Sequence, residues 1–264
     1  MINLDLYDSI FFDLDGVVYL EDDLIPGVDK TISEIRKTHK VGFITNNASK
    51  TCAEFAEKLT QLNIVTSEAE VISTPGVLVE SIPIQLPNAR RVLAISSSAV
   101  KDLLLSAGYK IVTSYHEKPD LVVNGLCKNL TWDDLAQASY AIANGVRWWA
   151  TNLDPVLPTI QGVAPGNGAI VALLNVVTGK MPLDFGKPNR LIFDHAVERF
   201  KVQKPLFVGD SLGTDILGAQ NAGMDSVLVL SGNTSREIWE NAKHDYSPIA
   251  VVEDANGLID SHKI

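Results

Sequence analysis

The sequence predicts an α/β protein organised on parallel sheet, and three observations carry that prediction. Strand-like and helix-like patterns alternate almost throughout, the signature of strands joined by helical crossovers. Several strand candidates are continuous apolar runs, as strands covered on both faces are. Polar residues cluster where those runs end, and parallel sheets bind ligands at the carboxyl ends of their strands.

Taken in order, "SIFFDL" is the first apolar run, and "GVDKTISEIRKTHK" follows with helical spacing of Val28, Ile32 and Ile35. "VGFITN" predicts the next strand, "SKTCAEFAEKLTQLN" the next helix, and "AEVIST" a third strand before "PGVLVESI". A second series runs from "RRVLAIS" (91–97) through "YKIVT" and "DLVVNG" to "RWWATN" (147–152). Trp148 and Trp149 stand on opposite sides of that last strand, so one ring is expected inside and the other against a neighbour. "PLFVGD" (205–210), "SVLVLSG" (226–232) and "PIAVVE" (248–253) then return to buried-strand character. The proline-bearing segments "IPIQLPNA" (82–89) and "KMPLDFGKP" (180–188) are candidate hinges. The middle portion therefore reads as an insertion into a domain made from both ends of the chain.

With 264 residues, 46% of them hydrophobic, the chain can bury a sizeable core and is not a disordered segment. Its formal net charge of −10, with no basic cluster, opposes nucleic acid and anionic membranes as partners. Apolar runs such as "AIVALLNVV" fall far short of the ~20 residues that span a bilayer. The acidic start "MINLDLYDSIFF" does not resemble a signal peptide. Cys52 and Cys127 are the only cysteines, which fits a reducing cytoplasm, and the sequons at Asn47, Asn129 and Asn233 are then chance matches. The five histidines show no paired spacing for zinc.

The chemistry lies at the strand ends. After "IFF" comes "DLDG", after "VGFI" comes "TNN", and after "PLFV" comes "GDSLGTD". In a parallel sheet these ends share one edge, so Asp13, Asp15, Thr45, Asn46, Asp210 and Asp215 are expected to converge. An unpaired buried carboxylate costs several kcal/mol, on the order of 5, or becomes neutral. A hard cation removes that penalty, and Mg²⁺, which takes carboxylate, phosphate and water oxygens, suits the set. "DLDG" is not a calcium loop, because Gly16 comes too early and the glutamate at the twelfth position is missing. "TNNASKT" leads towards a helix, whose first amides are expected to hold an anion. "GNGAIV" (166–171) lacks the third glycine of a dinucleotide fingerprint and reads as a helix start.

Together "DLDG", "TNN", "GKP" and "GDSLGTDI", in this order, resemble the haloacid dehalogenase (HAD) superfamily of phosphatases. "FITNNASKT", "ATNLDPVLP", "PGNGAIV" and "VGDSLGTDILGAQNAGM" are similar, more narrowly, to its NagD-like, class IIA branch, which includes 4-nitrophenylphosphatase-like enzymes. The resemblance implies a Rossmann-like doubly wound parallel-sheet core (1–82 and 184–264) with an inserted α/β cap (83–183) that selects the substrate. It implies a Mg²⁺-dependent phosphatase of small-molecule phosphomonoesters. Asp13 would be the nucleophile that forms an aspartyl-phosphate, and Asp15 the acid that protonates the leaving oxygen and then activates water. Thr45, the backbone at Asn46, and Lys187 would hold phosphate. The Asp13 side chain, the Asp15 carbonyl and Asp210 would ligate the metal, with Asp215 behind them.

The resemblance further implies a small phosphorylated metabolite as partner and a homodimer through the cap. It also brings a cap loop at 152–158 towards substrate, here with apolar Val156 and Leu157 at its tip. One departure is "NGLCKNLTW", where Cys127 and Trp132 replace the branch's usual aspartate and tyrosine. Two other readings share the acid cluster: a signalling receiver carrying phospho-aspartate, and a phosphotransferase on the same scaffold.

Overall fold

The structure, a computed structural model, describes residues 2–159 and 161–259. It divides into two compact units, one of residues 1–45, 52–72 and 187–264, the other of 46–51 and 73–186.

The first unit is organised by a six-stranded sheet in the spatial order Ala250–Val252, Asp225–Val229, Pro205–Gly209, Ser9–Phe12, Lys40–Thr45, Val71–Ser73. The pairings of Ser9–Phe12 with its two neighbours are parallel, with Ser9 opposite both Pro205 and Lys40. Every residue of Ser9–Phe12 and of Pro205–Gly209 is buried, as central strands covered on both faces require. The first three strands of the unit run outward on one side and the last three on the other. Chain order therefore reverses between Ser9–Phe12 and Pro205–Gly209, the switch point where doubly wound sheets open a crevice.

Helices cover both faces because their apolar residues recur at helical spacing. Val28–Ile35 buries Val28, Thr31, Ile32 and Ile35, and Cys52–Gln61 buries Cys52, Phe55, Ala56 and Leu59. Their apolar residues share one core with Ile10, Phe12, Phe43 and Val208. Leu191–Phe200 buries Ile192, Phe193 and Ala196, and Phe193 meets Phe207 edge to face at 5.0 Å. The short hairpin Tyr19–Leu20 and Asp23–Leu24 follows the first strand directly.

The second unit holds a five-stranded sheet in the order Leu183–Asp184, Arg147–Ala150, Leu121–Asn124, Arg91–Ile95, Lys110–Val112. Its core joins Leu93, Ile95, Val122, Ala138, Ile142 and Leu174. The helix Asn167–Thr178 starts where "GNGAIV" predicts, with Gly166 as its N-cap. Both tryptophans are buried, Trp148 at 5% and Trp149 at 2% exposure, which corrects the expectation that one faces a neighbour. The reason is that this sheet too is covered on both faces, and Trp149 packs on Phe185 at 5.0 Å.

The expected boundary at 82/83 lies inside the helix Thr74–Gln85, which packs against Ser98–Ser106 of the same unit. The expected hinge at 180–188 contains the edge strand Leu183–Asp184. The segment read as a loop at 152–158 enters an antiparallel hairpin, Val156–Thr159 with Gly162–Pro165. Pro158 hid this pairing, since proline within a run argues against a strand except at an edge.

Candidate active site

Asp13 is the first residue beyond the strand Ser9–Phe12. Its amide donates to the Val208 carbonyl at 2.9 Å, so the switch point itself sets its place, and it is 8% exposed. Asp210 is the first residue beyond Pro205–Gly209, the neighbouring strand, and is fully buried. Asp215 lies in the π-turn Leu212–Ile216, a rare winding that is frequent at functional sites. The turn carries Asp215 back to the strand end, where its Oδ2 accepts from the amides of Asp210 (3.0 Å) and Ser211 (3.1 Å). Carboxylate oxygens of Asp13, Asp210 and Asp215 all lie within 4.8 Å of one another.

Lys187, 3% exposed, stands among them. Its Nζ pairs with Asp13 and with Asp215, both at 2.7 Å, and donates to the Ile44 carbonyl at 3.3 Å. Burial opposes its charge, but the attraction of Asp13 and then Asp215 is stronger and raises its pKa, so it stays an ammonium. One cation against three acids leaves the cluster short of positive charge. Burial, and then the charge of Asp215, push Asp13 well above the usual carboxylate range, against the pull of Lys187. The same two causes push Asp210 up to about 7. At an effective dielectric of ~20, two unit charges 4.8 Å apart repel by about 3 kcal/mol, so a further positive charge would stabilise the cluster.

Asp210 shows where that charge fits. Its Oδ2 accepts from the Asn233 amide at 2.5 Å, whereas its buried Oδ1 has no hydrogen-bond partner among the described residues. An orphaned oxygen beside a second carboxylate suits a small hard cation that keeps water and phosphate among its ligands. The residues present fit Mg²⁺.

Close backbone approach assembles the rest. Gly16 has φ +84°, and a Cβ there would stand 2.3 Å from Asp210 Oδ2; one on Gly232 would stand 2.1 Å from the same atom. Ser231 Oγ donates to the Gly16 carbonyl at 2.7 Å. Gly16→Ala is therefore expected to weaken Mg²⁺ binding at least about 10-fold, because the positive φ disfavours any Cβ and the clash displaces Asp210. Calorimetric titration with Mg²⁺ checks this, and unchanged affinity would refute it.

Ser231, Gly232 and Asn233 are site residues that sequence reasoning passed over. Their signal was available: "SGNT" follows an apolar strand, as "DLDG" and "GDSLGTD" do.

The structure brings Asp13, Asp210, Asp215 and Lys187 together. Thr45, 2% exposed, ends its strand immediately after Ile44, whose carbonyl Lys187 engages. The Asp15 side chain is exposed, on the turn that leads into the hairpin. Asn46 belongs to the second unit, where its Nδ2 donates to Asp154 at 3.3 Å and its carbonyl accepts from Asn152 at 3.0 Å.

The segment "TNNASKT" leads into a helix, as the sequence predicts. The helix begins at Cys52, because the Asn47 side chain takes the Ser49 amide at 3.0 Å and turns the chain first.

Residues 10–110 match the family model of haloacid dehalogenase-like hydrolases, and residues 184–258 match a second, HAD-hydrolase-like model. A D-glycerol 3-phosphate phosphatase of Mycobacterium tuberculosis is 37% identical over 229 residues, which cover 87% of this chain and 64% of that protein. An acid sugar phosphatase of Staphylococcus haemolyticus is 33% identical over 96% of this chain and 95% of its own length. A crystal structure of the M. tuberculosis glycerol phosphate phosphatase in complex with magnesium superposes with a TM-score of 0.89 at 35% identity, covering 96% of this chain and 77% of that one.

Proposed function

The chain belongs to the haloacid dehalogenase-like hydrolases, and from that membership we propose that it is a Mg²⁺-dependent phosphatase of small phosphomonoesters acting through an aspartyl-phosphate on Asp13. The observation that carries this reading is the buried cluster of Asp13, Asp210 and Asp215 around Lys187 at the switch point of a doubly wound sheet. Relatives that act on sugar and glycerol phosphates support it.

The residues divide the work. An Asp13 carboxylate oxygen attacks phosphorus, and the bond to the ester oxygen breaks while Asp15 gives that oxygen its proton. Asp15 then takes a proton from the water that attacks the phosphorylated Asp13, and phosphate leaves. Such positioned proton transfer contributes on the order of 10²–10⁴-fold. The exposure of Asp15 suits a group that must meet both an alcohol and water. Lys187 stays charged throughout and balances Asp13 and the arriving dianion. Asp215 braces Asp210 through the backbone amides at 210 and 211. Thr45 and the backbone at Asn46 grip phosphate oxygens. Asp13, Asp210 and the Asp15 carbonyl would hold Mg²⁺, which when bound neutralises charge between the nucleophile and the phosphate.

The second unit is then the cap that selects the substrate, with a sugar or polyol phosphate as the favoured class. A second copy of the chain would join through this unit, where Val163, Val176 and Val177 are exposed. Among the described residues no helix is long and apolar enough to cross a membrane, and a chain with only two cysteines fits a reducing cytoplasm. A signalling receiver is not favoured, because Asp15, two residues beyond the acceptor, has no task there.

Phosphate release from glycerol phosphates, sugar phosphates, nucleoside monophosphates and p-nitrophenyl phosphate, with Mg²⁺ or with EDTA, tests the reading. Release that requires Mg²⁺ is expected. No release from any ester, together with a persistent phosphoryl group on Asp13 after acetyl phosphate treatment, would replace the phosphatase with the receiver.

A further inference from the structure

One side chain of a helix remote in sequence meets the hairpin that continues from Asp15 at three points. Lys58, on the helix Cys52–Gln61, places its Nζ 3.8 Å from the centroid of the Tyr19 ring. The same Nζ donates to the Glu21 carbonyl and pairs with Asp22 Oδ1 at 3.0 Å. Each contact alone is weak, and an ion pair to a side chain as exposed as Asp22 is worth little. Their convergence is what matters, because the three partners are nearly consecutive residues of one turn. Glu21 has φ +53°, a conformation that a non-glycine residue holds only when its surroundings support it. The ammonium on its carbonyl is such support.

A short chain of contacts runs from this turn to Asp15. The Tyr19 carbonyl accepts from the Gly16 amide at 2.8 Å, and Tyr19 bridges Asp15. The Leu14 carbonyl accepts from the Val18 amide at 2.9 Å, closing the loop between the catalytic strand and the hairpin. The Tyr19 ring is 1% exposed and lies within the field of Asp15 and Asp13, which, after burial, raises the pKa of its phenol and keeps it neutral. A cation on such a ring is held by the π-face and not by a phenolate.

We propose that Lys58 is a positioning residue: by gripping the Tyr19–Asp22 turn it sets the Asp15–Gly16 turn, and so aims the acid that protonates the leaving group. The proposal rests on the phosphatase reading. It predicts dependence on the leaving group. Nitrophenolate leaves with little help from an acid, whereas an alkoxide needs its proton.

Lys58→Met keeps the stem and removes the charge; Lys58→Arg restores a cation that can stack on the ring. Lys58→Met is expected to lower kcat on glycerol 3-phosphate about 10–100-fold, a part of the full acid contribution. Its kcat on p-nitrophenyl phosphate should fall less than about threefold, with KM little changed on both esters, and Lys58→Arg should recover most of the loss. Hydrogen exchange of the full chain should show faster exchange at residues 16–24 in Lys58→Met and unchanged exchange in the strand 205–209.

Equal losses on both esters, or no loss on either, would overturn the proposal, as would unaltered exchange at 16–24. Wild-type protein that hydrolyses neither ester would sink the phosphatase reading instead, and the exchange measurement alone would then decide whether Lys58 holds the hairpin. Should Lys58→Met not fold, Asp22→Asn at its exposed position is expected to give a smaller effect of the same kind, and its absence would count against the proposal.

Discussion

Asp13→Asn is expected to lower Mg²⁺-dependent phosphate release by at least about 10⁴-fold while leaving the fold intact. Losing a nucleophile removes the two-step route itself, and such losses in covalent catalysts reach this size or more. The amide keeps the shape of the side chain, so the backbone bond from residue 13 to the Val208 carbonyl persists. Stability should move the other way. Burial and the neighbouring Asp215 push the Asp13 carboxyl upward, with Lys187 opposing them. The metal-free wild type therefore holds an unfavourable charge that the amide lacks. Metal-free Asp13→Asn is expected to melt no lower than wild type, and differential scanning calorimetry checks this beside the rate. A variant that retains more than about 1% of the wild-type kcat would show that Asp13 is not the nucleophile.

Lys187→Met is expected to damage both activity and stability. Lys187 is 3% exposed and its ammonium lies 2.7 Å from Asp13 and from Asp215. Removing one partner of a buried ion pair strands the other charge and costs about 3–5 kcal/mol. The metal-free variant should lose about that much in urea unfolding, and saturating Mg²⁺ should restore part of it by supplying positive charge to the same acids. The catalytic loss should persist even with Mg²⁺, at about 10³-fold, because the dianion still approaches a site that has lost its fixed cation. A variant as stable as wild type without metal would mean that the acids are protonated and that Lys187 balances no charge.

Much of this site could be read from short motifs. Asp13, Asp15, Asp210 and Asp215 each follow an apolar run, and the doubly wound topology brings the relevant strand ends to one edge. Burial periodicity is local, so strands such as Ser9–Phe12 and helices such as Cys52–Gln61 declare themselves in windows of a few residues. Lys187 is different. Nothing around "GKP" tells that its ammonium will lie between Asp13 and Asp215; only the resemblance pointed to it, and only the fold supplies the partners.

The same limit explains what was missed. "SGNT" acts through backbone amides and through glycines whose neighbours come from elsewhere in the chain, and Lys58 reads as an ordinary surface lysine until the hairpin is in place. The order of apolar runs and the acids that end them determined the class of fold and the seat of the chemistry. Which cation meets which acid and what holds Asp15 were decided by tertiary structure, because each depends on groups that only the crossovers of the chain bring within a few ångströms.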